Sequence, residues 1–73
     1  MGIREILAAN LRTLRQERGM SQEELAHRSD LDRTYISALE RTVYAASIDV
    51  LERLALALDV SPDVLLKPSD KQS

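Results

Sequence analysis

The sequence predicts an all-α domain of five short helices. Leucine, alanine, glutamate and arginine dominate the chain, and no stretch shows the alternation of apolar and polar residues that is typical of a β-strand. The 73 residues contain only two glycines and two prolines, so little interrupts the helical segments. A serine or an aspartate stands at the start of four of these segments, where it can cap the first turn.

The first predicted helix covers residues 3–18. Leu7, Leu11 and Leu14 recur at steps of three and four residues, which places them on one face of a helix. Gly19 follows directly, at the position where a residue in the left-handed conformation commonly ends a helix. This spacing predicts an amphipathic helix that packs its leucines against the core.

The next two predicted helices each begin at a residue that can cap them. Ser21 is followed three residues later by Glu24, which is the capping-box pattern at the start of a second helix. Asp32 is the expected N-cap of a third helix, which runs to about Arg41. Because no glycine or proline follows before Ser47, we expect this third helix to continue for up to one further turn.

The turn between the second and third helices contains only Asp30 and Leu31. So short a turn between crossing helices requires one residue at positive φ. Aspartate tolerates that region better than most residues other than glycine. We therefore expect Asp30 to be left-handed, and we expect the same of Asp59 at the end of the fourth helix.

The last two predicted helices also carry start signals. Ser47 precedes a fourth helix, in which Leu54 and Leu58 belong to the inward-facing stripe. Ser61 is the expected N-cap of a fifth helix, and Pro62 occupies the first helical position, where its missing N–H has no consequence. Together these signals divide almost the whole chain into helices joined by short turns.

The composition argues against several functional classes. Without cysteine there is no disulfide and no thiolate metal site, and the single histidine, His27, cannot form a metal site alone. No apolar run approaches the roughly 20 residues of a membrane span, and the charged N-terminal segment does not resemble a signal peptide, so we expect a cytoplasmic protein without membrane contact. No glycine-rich phosphate loop or nucleophile turn appears, and we predict no catalytic site, cofactor or small-molecule ligand.

The net charge of −2 is unusual for a nucleic-acid-binding protein, which is commonly basic. Residues 1–44 contain seven basic and seven acidic side chains, whereas residues 45–73 contain three basic and five acidic side chains. Any surface that faces phosphates must therefore arise from the local arrangement of charges and not from the average.

The interior positions around the short turn match a helix-turn-helix. Those positions are Ala26, Leu31, Ile36 and Leu39. The stretch GMSQEELAHRSDLDRTYISALER resembles the helix-turn-helix of the phage-repressor (Cro-like, XRE-type) family, and LERLALALDVSPDVLL resembles that family's fourth and fifth helices. Within the family, LDRTYIS followed by Glu-Arg is most similar to the controller proteins of restriction–modification systems. The resemblance covers residues 5–66.

This resemblance implies a compact, lambda-repressor-like DNA-binding domain that reads double-stranded DNA with its third helix in the major groove. We expect the domain to span residues 1–67 and residues 68–73 to form a flexible polar tail. The predicted base contacts are Arg33, Thr34, Ser37 and Ala38. The guanidinium group of Arg33 suits the O6 and N7 atoms of guanine, whereas Ala38 offers only an apolar contact.

Residues expected to contact phosphates lie around the third helix. They are Ser21, Gln22, Tyr35, Arg41 and Tyr44. Gln22 stands at the start of the second helix, where free N–H groups and the helix dipole favour an anion. The loop of residues 42–46 departs from the family, which usually has a glycine and basic residues here, so we expect fewer phosphate contacts from this loop.

Two further sets of residues have predicted structural roles. The resemblance implies that Arg15 and Glu40 form an ion pair that fixes the third helix to the first. On the fourth helix, Leu56 lies opposite the inward-facing stripe, and a helix that is apolar on two sides usually buries both. We expect Leu56, Val60 and Val64 to form a homodimer interface; the alternative is that Leu56 packs beneath the C-terminal tail.

The functional prediction is a sequence-specific transcriptional regulator. A homodimer would read a near-palindromic operator, and relatives either block promoters or contact RNA polymerase, so polymerase is a further expected partner. The alternative is a helix-turn-helix scaffold used for protein contacts or as the antitoxin of a toxin–antitoxin pair. The acidic net charge and the loop TVYAA favour that alternative, whereas Arg33 opposes it.

Overall fold

A computed structural model describes residues 2–68 of the chain. It contains four α-helices and a final 3₁₀ helix: α1 (Ile3–Glu17), α2 (Gln22–Ser29), α3 (Arg33–Glu40), α4 (Ile48–Leu58) and the 3₁₀ helix (Pro62–Leu66). The prediction of an all-α helix-turn-helix domain is confirmed. The tail expected at residues 68–73 lies outside the described residues, apart from Pro68.

The predicted fifth α-helix is a 3₁₀ helix, which corrects the count of five α-helices. Only five residues are available, because Pro68 forces the preceding Lys67 into an extended conformation (φ −91°, ψ 130°). So short a segment closes with an i→i+3 hydrogen bond, from Val64 N to Ser61 O at 3.1 Å. The Ser61 hydroxyl donates to Asp63 and lowers the pKa of that carboxyl.

The helix boundaries follow the predicted caps. Ser21 Oγ accepts a hydrogen bond from Glu24 N at 3.0 Å, and Ser47 Oγ accepts one from Val50 N at 3.1 Å. The turn of the helix-turn-helix is closed by Asp30 in the left-handed conformation, with φ 58° and ψ 44°. The predictions for Ser21, Ser47 and Asp30 are therefore confirmed, and Asp59 likewise has φ 60°. Asp32 and Ser61 occupy the predicted N-cap positions, but their side chains make no cap hydrogen bond.

The expectation that the third helix continues beyond Arg41 is wrong. The α3 helix ends at Glu40, and Thr42 adopts a left-handed conformation with φ 61°. Hydrogen bonds from Val43 N to Ala38 O (2.9 Å) and from Thr42 N to Leu39 O (3.1 Å) close the end of the helix. Thr42 thus takes the place of the usual glycine, although a β-branched residue is strained there.

We expect Thr42→Gly to raise the free energy of unfolding by about 1 kcal/mol, because glycine reaches this conformation without a steric penalty. Asp30→Gly is the matched comparison. Its gain should be smaller, because aspartate tolerates the left-handed region better than threonine. Urea unfolding of both variants checks this order, and a destabilised Thr42→Gly protein would show that the threonine side chain contributes more than its strain.

The core lies where all five elements meet. The fully buried large side chains are Leu11, Leu25, Ile36, Leu39, Leu54, Leu58 and Leu65. The α1 helix packs against α3 and the 3₁₀ helix, while α2 packs against α3 and α4. Ala26 on α2 is buried and, being small, allows α3 to approach closely. This packing fixes α2 and α3 as one unit and leaves the first turn of α3 at the surface.

Within residues 2–68, no helix is both long enough and apolar enough to cross a membrane.

Candidate nucleic-acid interface

The first turn of α3 carries two of the four predicted base contacts. Arg33 and Thr34 are exposed, and Ser37 lies one turn later and is half-buried. Among residues 2–68, no acidic side chain lies within ion-pair distance of Arg33. A guanidinium group at the positive end of a helix is electrostatically unfavourable, so Arg33 does not stabilise the start of α3.

Ala38 is placed differently from the other predicted base contacts. Only 3 % of its surface is exposed, and it belongs to the buried side of α3. A buried methyl group cannot reach a base edge, so the structure leaves no room for the predicted apolar contact. Of the four predicted base contacts, the accessible ones are therefore Arg33, Thr34 and Ser37.

An open groove of about 600 Å³ separates the start of α2 from the start of α3. It is lined by Arg15, Ser21, Gln22, Glu23 and Arg33. The fold thus brings a predicted base-reading residue together with two predicted phosphate-binding residues. Because Ser21 Oγ accepts the capping hydrogen bond, its own hydroxyl hydrogen remains available to a phosphate oxygen.

At the wall of this groove, Arg15 is in direct contact with Glu40. Arg15 Nε lies 2.7 Å from Glu40 Oε2, and Arg15 Nη2 lies 3.1 Å from Glu40 Oε1. The side chain of Glu40 is 2 % exposed and that of Arg15 is 13 % exposed, so the carboxylate is buried and the guanidinium group is largely buried. Arg15 Nη1 also donates to Met20 O at 2.8 Å. The pair therefore connects α1, the α1–α2 turn and the end of α3.

Gln22 joins the same cluster. Its Nε2 donates to Glu40 Oε1 at 3.1 Å, which connects the start of α2 to the end of α3. An amide nitrogen carries two hydrogens, so the second remains free to donate to a phosphate. The contact with Glu40 therefore leaves Gln22 able to make the phosphate contact expected from the sequence.

Sequence reasoning missed Arg12. Its Nη2 donates to the backbone oxygen of Glu40 at 3.0 Å, and its Nε lies 3.9 Å from Glu40 Oε1. It thereby satisfies one of the free carbonyl groups at the end of α3. The available signal was its spacing of three residues from Arg15, which places both arginines on the same face of α1.

Tyr35 and Tyr44 lie side by side at the loop that follows α3. Their ring centroids are 6.1 Å apart and the planes are inclined by 34°. The Tyr35 hydroxyl donates to Ala45 O at 3.3 Å, so it lies against the loop in a solvent-exposed hydrogen bond. Tyr44 and Arg41 are both exposed, and they remain available to a phosphate at this edge of the surface.

The residues predicted to form the dimer interface are not equally accessible. Leu56 is exposed, whereas Val60 and Val64 are half-buried and Val60 packs against the core. The C-terminal tail that was the alternative cover for Leu56 lies outside residues 2–68. Within those residues, no group of three or more histidine, aspartate or glutamate side chains could hold a metal ion.

Comparison with known proteins identifies the family. Residues 11–65 match the family described as helix-turn-helix. A hypothetical transcription factor from Neisseria meningitidis is 43 % identical over 70 residues, which cover 96 % of this chain and 66 % of the relative. Control protein C.SmaI from Serratia marcescens is 46 % identical over 66 residues, covering 90 % of this chain and 79 % of the relative.

Solved structures agree with this result. The crystal structure of hypothetical transcription factor NHTF from Neisseria has a TM-score of 0.92 and 42 % identity, and the alignment covers 97 % of this chain and 82 % of that one. The restriction–modification controller protein C.Esp1396I, as a tetramer in complex with its natural 35 base-pair operator, has a TM-score of 0.81 and 38 % identity, with 89 % and 86 % covered. As the stretch around Asp30 predicts, the chain belongs to the XRE-type helix-turn-helix family.

Proposed function

We propose that this protein is a sequence-specific DNA-binding regulator of transcription, which acts at promoters by binding and not by catalysis. The observation that carries the proposal is the groove in which exposed Arg33, at the start of α3, faces Ser21 and Gln22 at the start of α2. A helix-turn-helix contacts base edges with its second helix and the DNA backbone with its first. The groove brings together the groups proposed for both tasks. The relative C.Esp1396I binds its operator, which supports the same role for this fold.

Base reading rests on three side chains of α3. Arg33 offers two parallel N–H donors to the O6 and N7 atoms of guanine, which is the commonest specific contact in the major groove. Thr34 offers a hydroxyl and a methyl group, and the methyl group suits thymine. Ser37, one turn further along the same face, contacts a base edge or the adjacent phosphate.

Phosphate binding involves groups on both sides of α3. Ser21 and Gln22 hold one strand at the start of α2, where free N–H groups and the helix dipole add to the attraction. Arg41 and Tyr44 hold the backbone near the end of α3. For Tyr35 to take part, its hydroxyl hydrogen must leave Ala45 O, because that hydroxyl has only one hydrogen to donate.

The loop of residues 42–46 contains no basic side chain, and this limits the number of neutralised phosphates. We expect the slope of log Kobs against log salt concentration to be shallower by roughly 0.9 for each missing contact. Titrations of one duplex at several salt concentrations, with the wild-type protein and with a variant that has a basic side chain in this loop, check this. An Ala45→Lys variant should steepen the slope by about one unit, and equal slopes for the wild type and this variant would contradict the proposal.

The proposed regulator is a cytoplasmic homodimer on a near-palindromic operator. Two copies related by a two-fold axis place their α3 helices in successive major grooves, about 34 Å apart. The similarity to C.SmaI and C.Esp1396I favours a role as a restriction–modification controller. Contact with RNA polymerase would convert promoter binding into activation, whereas binding across the promoter alone would repress.

A second candidate function is a protein-interaction module or an antitoxin-type partner built on the same scaffold. The net charge of −2 and the uncharged loop favour this candidate, because both weaken attraction to DNA. The protein-interaction candidate does not explain why Arg33 has an exposed guanidinium group without an ion-pair partner among residues 2–68.

Selection of binding sites from a randomised duplex pool at moderate salt separates the two candidates. The regulator enriches a near-palindromic sequence with two half-sites about one helical turn apart. Failure of the wild-type protein to enrich any sequence would overturn the regulator and place the protein-interaction candidate first.

A further inference from the structure

An apolar cleft lies between the starts of α1 and α4. It has a volume of about 250 Å³, and its lining comes from the start of α1, from the segment 45–51 and from Leu66 at the end of the 3₁₀ helix. The cleft is separate from the groove that contains Arg33, since the two share no lining residue. An apolar cavity of about 150 Å³ is large enough for the six carbons of benzene, so this cleft has room for about ten carbon atoms.

The cleft has an apolar floor and an apolar rim. Leu7 is buried, and Leu51 and Leu66 are half-buried, so these three leucines form the floor. Ile3 and Ile48 form the rim and are 56 % and 85 % exposed. Large apolar side chains this exposed commonly mark an interaction site. An aliphatic occupant would remove both isoleucines and the floor from contact with water.

The lining contains a single ionisable side chain, Arg4. Among residues 2–68, no acidic side chain lies within ion-pair distance of its guanidinium group. Glu5 and Asp49 are close in sequence to lining residues, but neither lines the cleft. A guanidinium group matches a carboxylate in both charge and hydrogen-bond geometry. The charge of the cleft is therefore complementary to an anion.

Ser47 adds a second polar side chain to the lining. Its Oγ accepts the capping hydrogen bond from Val50 N at 3.1 Å, so the hydroxyl hydrogen remains available to an acceptor. Arg4 and Ser47 can thus both donate to a carboxylate from an otherwise apolar lining. Small-molecule sites typically combine apolar walls with a few polar groups of this kind, which fix the orientation of the ligand.

We propose that this cleft binds an aliphatic carboxylate of about eight to ten carbon atoms. The alkyl chain lies on the floor of leucines, and the carboxylate accepts hydrogen bonds from Arg4 and Ser47. The sequence gave no reason to expect a small-molecule ligand, because the lining residues come from three separate segments. The proposed site is independent of the DNA-binding surface.

Calorimetric titration of the full chain with sodium hexanoate, octanoate, decanoate and dodecanoate tests the binding. We expect a dissociation constant of about 1 mM or lower for octanoate. Affinity should rise about four-fold for each added CH₂ group and level off near ten carbons, where the cleft is full. A rise that continues unchanged to dodecanoate indicates non-specific adsorption. That result, or no binding of any of the four, would overturn the proposal.

Arg4→Ala tests the contact with the carboxylate. The variant should weaken octanoate binding about five-fold and leave the binding of 1-octanol unchanged, because the alcohol carries no charge. Arg28→Ala is the matched control, since it removes the same charge from α2, outside the cleft. It should leave both affinities unchanged because solvent ions screen distant charges. Equal weakening by the two variants would show that Arg4 does not contact the carboxylate.

Ala45→Leu tests the location of the site. Ala45 is exposed and lines the cleft, so a larger side chain occupies the space of the ligand without disturbing the core. We expect octanoate and 1-octanol to lose affinity alike, by roughly ten-fold or more. Thr13→Leu, which adds an aliphatic side chain at an exposed position of α1 outside the cleft, should have no effect. Unchanged binding by Ala45→Leu would refute the location, and circular dichroism checks that both variants fold.

Discussion

Glu40→Ala is expected to lower the free energy of unfolding by about 3–5 kcal/mol, as found when one partner of a buried ion pair is removed. The variant leaves the guanidinium group of Arg15 largely buried without its carboxylate partner. It also removes the acceptor for the Gln22 amide, so α2 and α3 lose a direct connection. Urea unfolding, followed by circular dichroism, measures the change.

The matched control is Glu24→Ala. Glu24 also pairs with an arginine, Arg28 at 2.7 Å, but that pair is exposed on one helix. We expect a loss of only about 0–1 kcal/mol, because solvent screens exposed pairs. A loss of the same small size for Glu40→Ala would show that water reaches the buried pair. An apolar double variant, Arg15→Met with Glu40→Leu, should recover part of the loss, because it leaves no unpaired charge.

Arg33→Ala is expected to remove about 1–3 kcal/mol of discrimination at one base pair in each half-site. At every other position of the operator, the discrimination between bases should stay the same, even if the overall affinity falls. The fold should be unaffected, because Arg33 is exposed and its positive charge is unfavourable at the start of α3. Titration of the enriched operator and its single-base variants at one salt concentration measures the effect.

Arg28→Ala is the control for the loss of charge. Arg28 is an exposed arginine near the end of α2, and its removal changes the net charge by the same amount. It should reduce affinity for all sequences alike and leave the base preferences intact. If Arg28→Ala altered the preferences as much as Arg33→Ala, the assignment of base reading to the first turn of α3 would be wrong.

Local chemistry explains the features that the sequence predicted well. A serine cap, as at Ser21, and a left-handed aspartate, as at Asp30, depend on residues within one turn, so their positions can be identified from neighbours alone. The family resemblance supplied the Arg15–Glu40 pairing, which joins residues 25 positions apart. Periodicity alone does not identify such a pair.

Features that depend on packing between distant segments could not be predicted from neighbouring residues. Burial of Ala38 depends on how wide a face α3 presents to the rest of the fold, and an eight-residue helix gives too few positions to define that width. The left-handed conformation of Thr42 opposes the preference of a β-branched residue, so the residue type does not indicate it. The cleft beside Ile48 is formed by three separate segments, so no single stretch of sequence indicates it.

The central claim is that α3 reads bases in the major groove through Arg33. The most direct measurement combines two proteins, wild type and Arg33→Ala, with every single-base variant of the selected operator. A double-mutant cycle then gives the coupling free energy between the Arg33 side chain and the base pair at each position. We predict a coupling of about 1–3 kcal/mol at one guanine in each half-site and none elsewhere. Coupling spread evenly over the operator, or absent from every position, would contradict the claim.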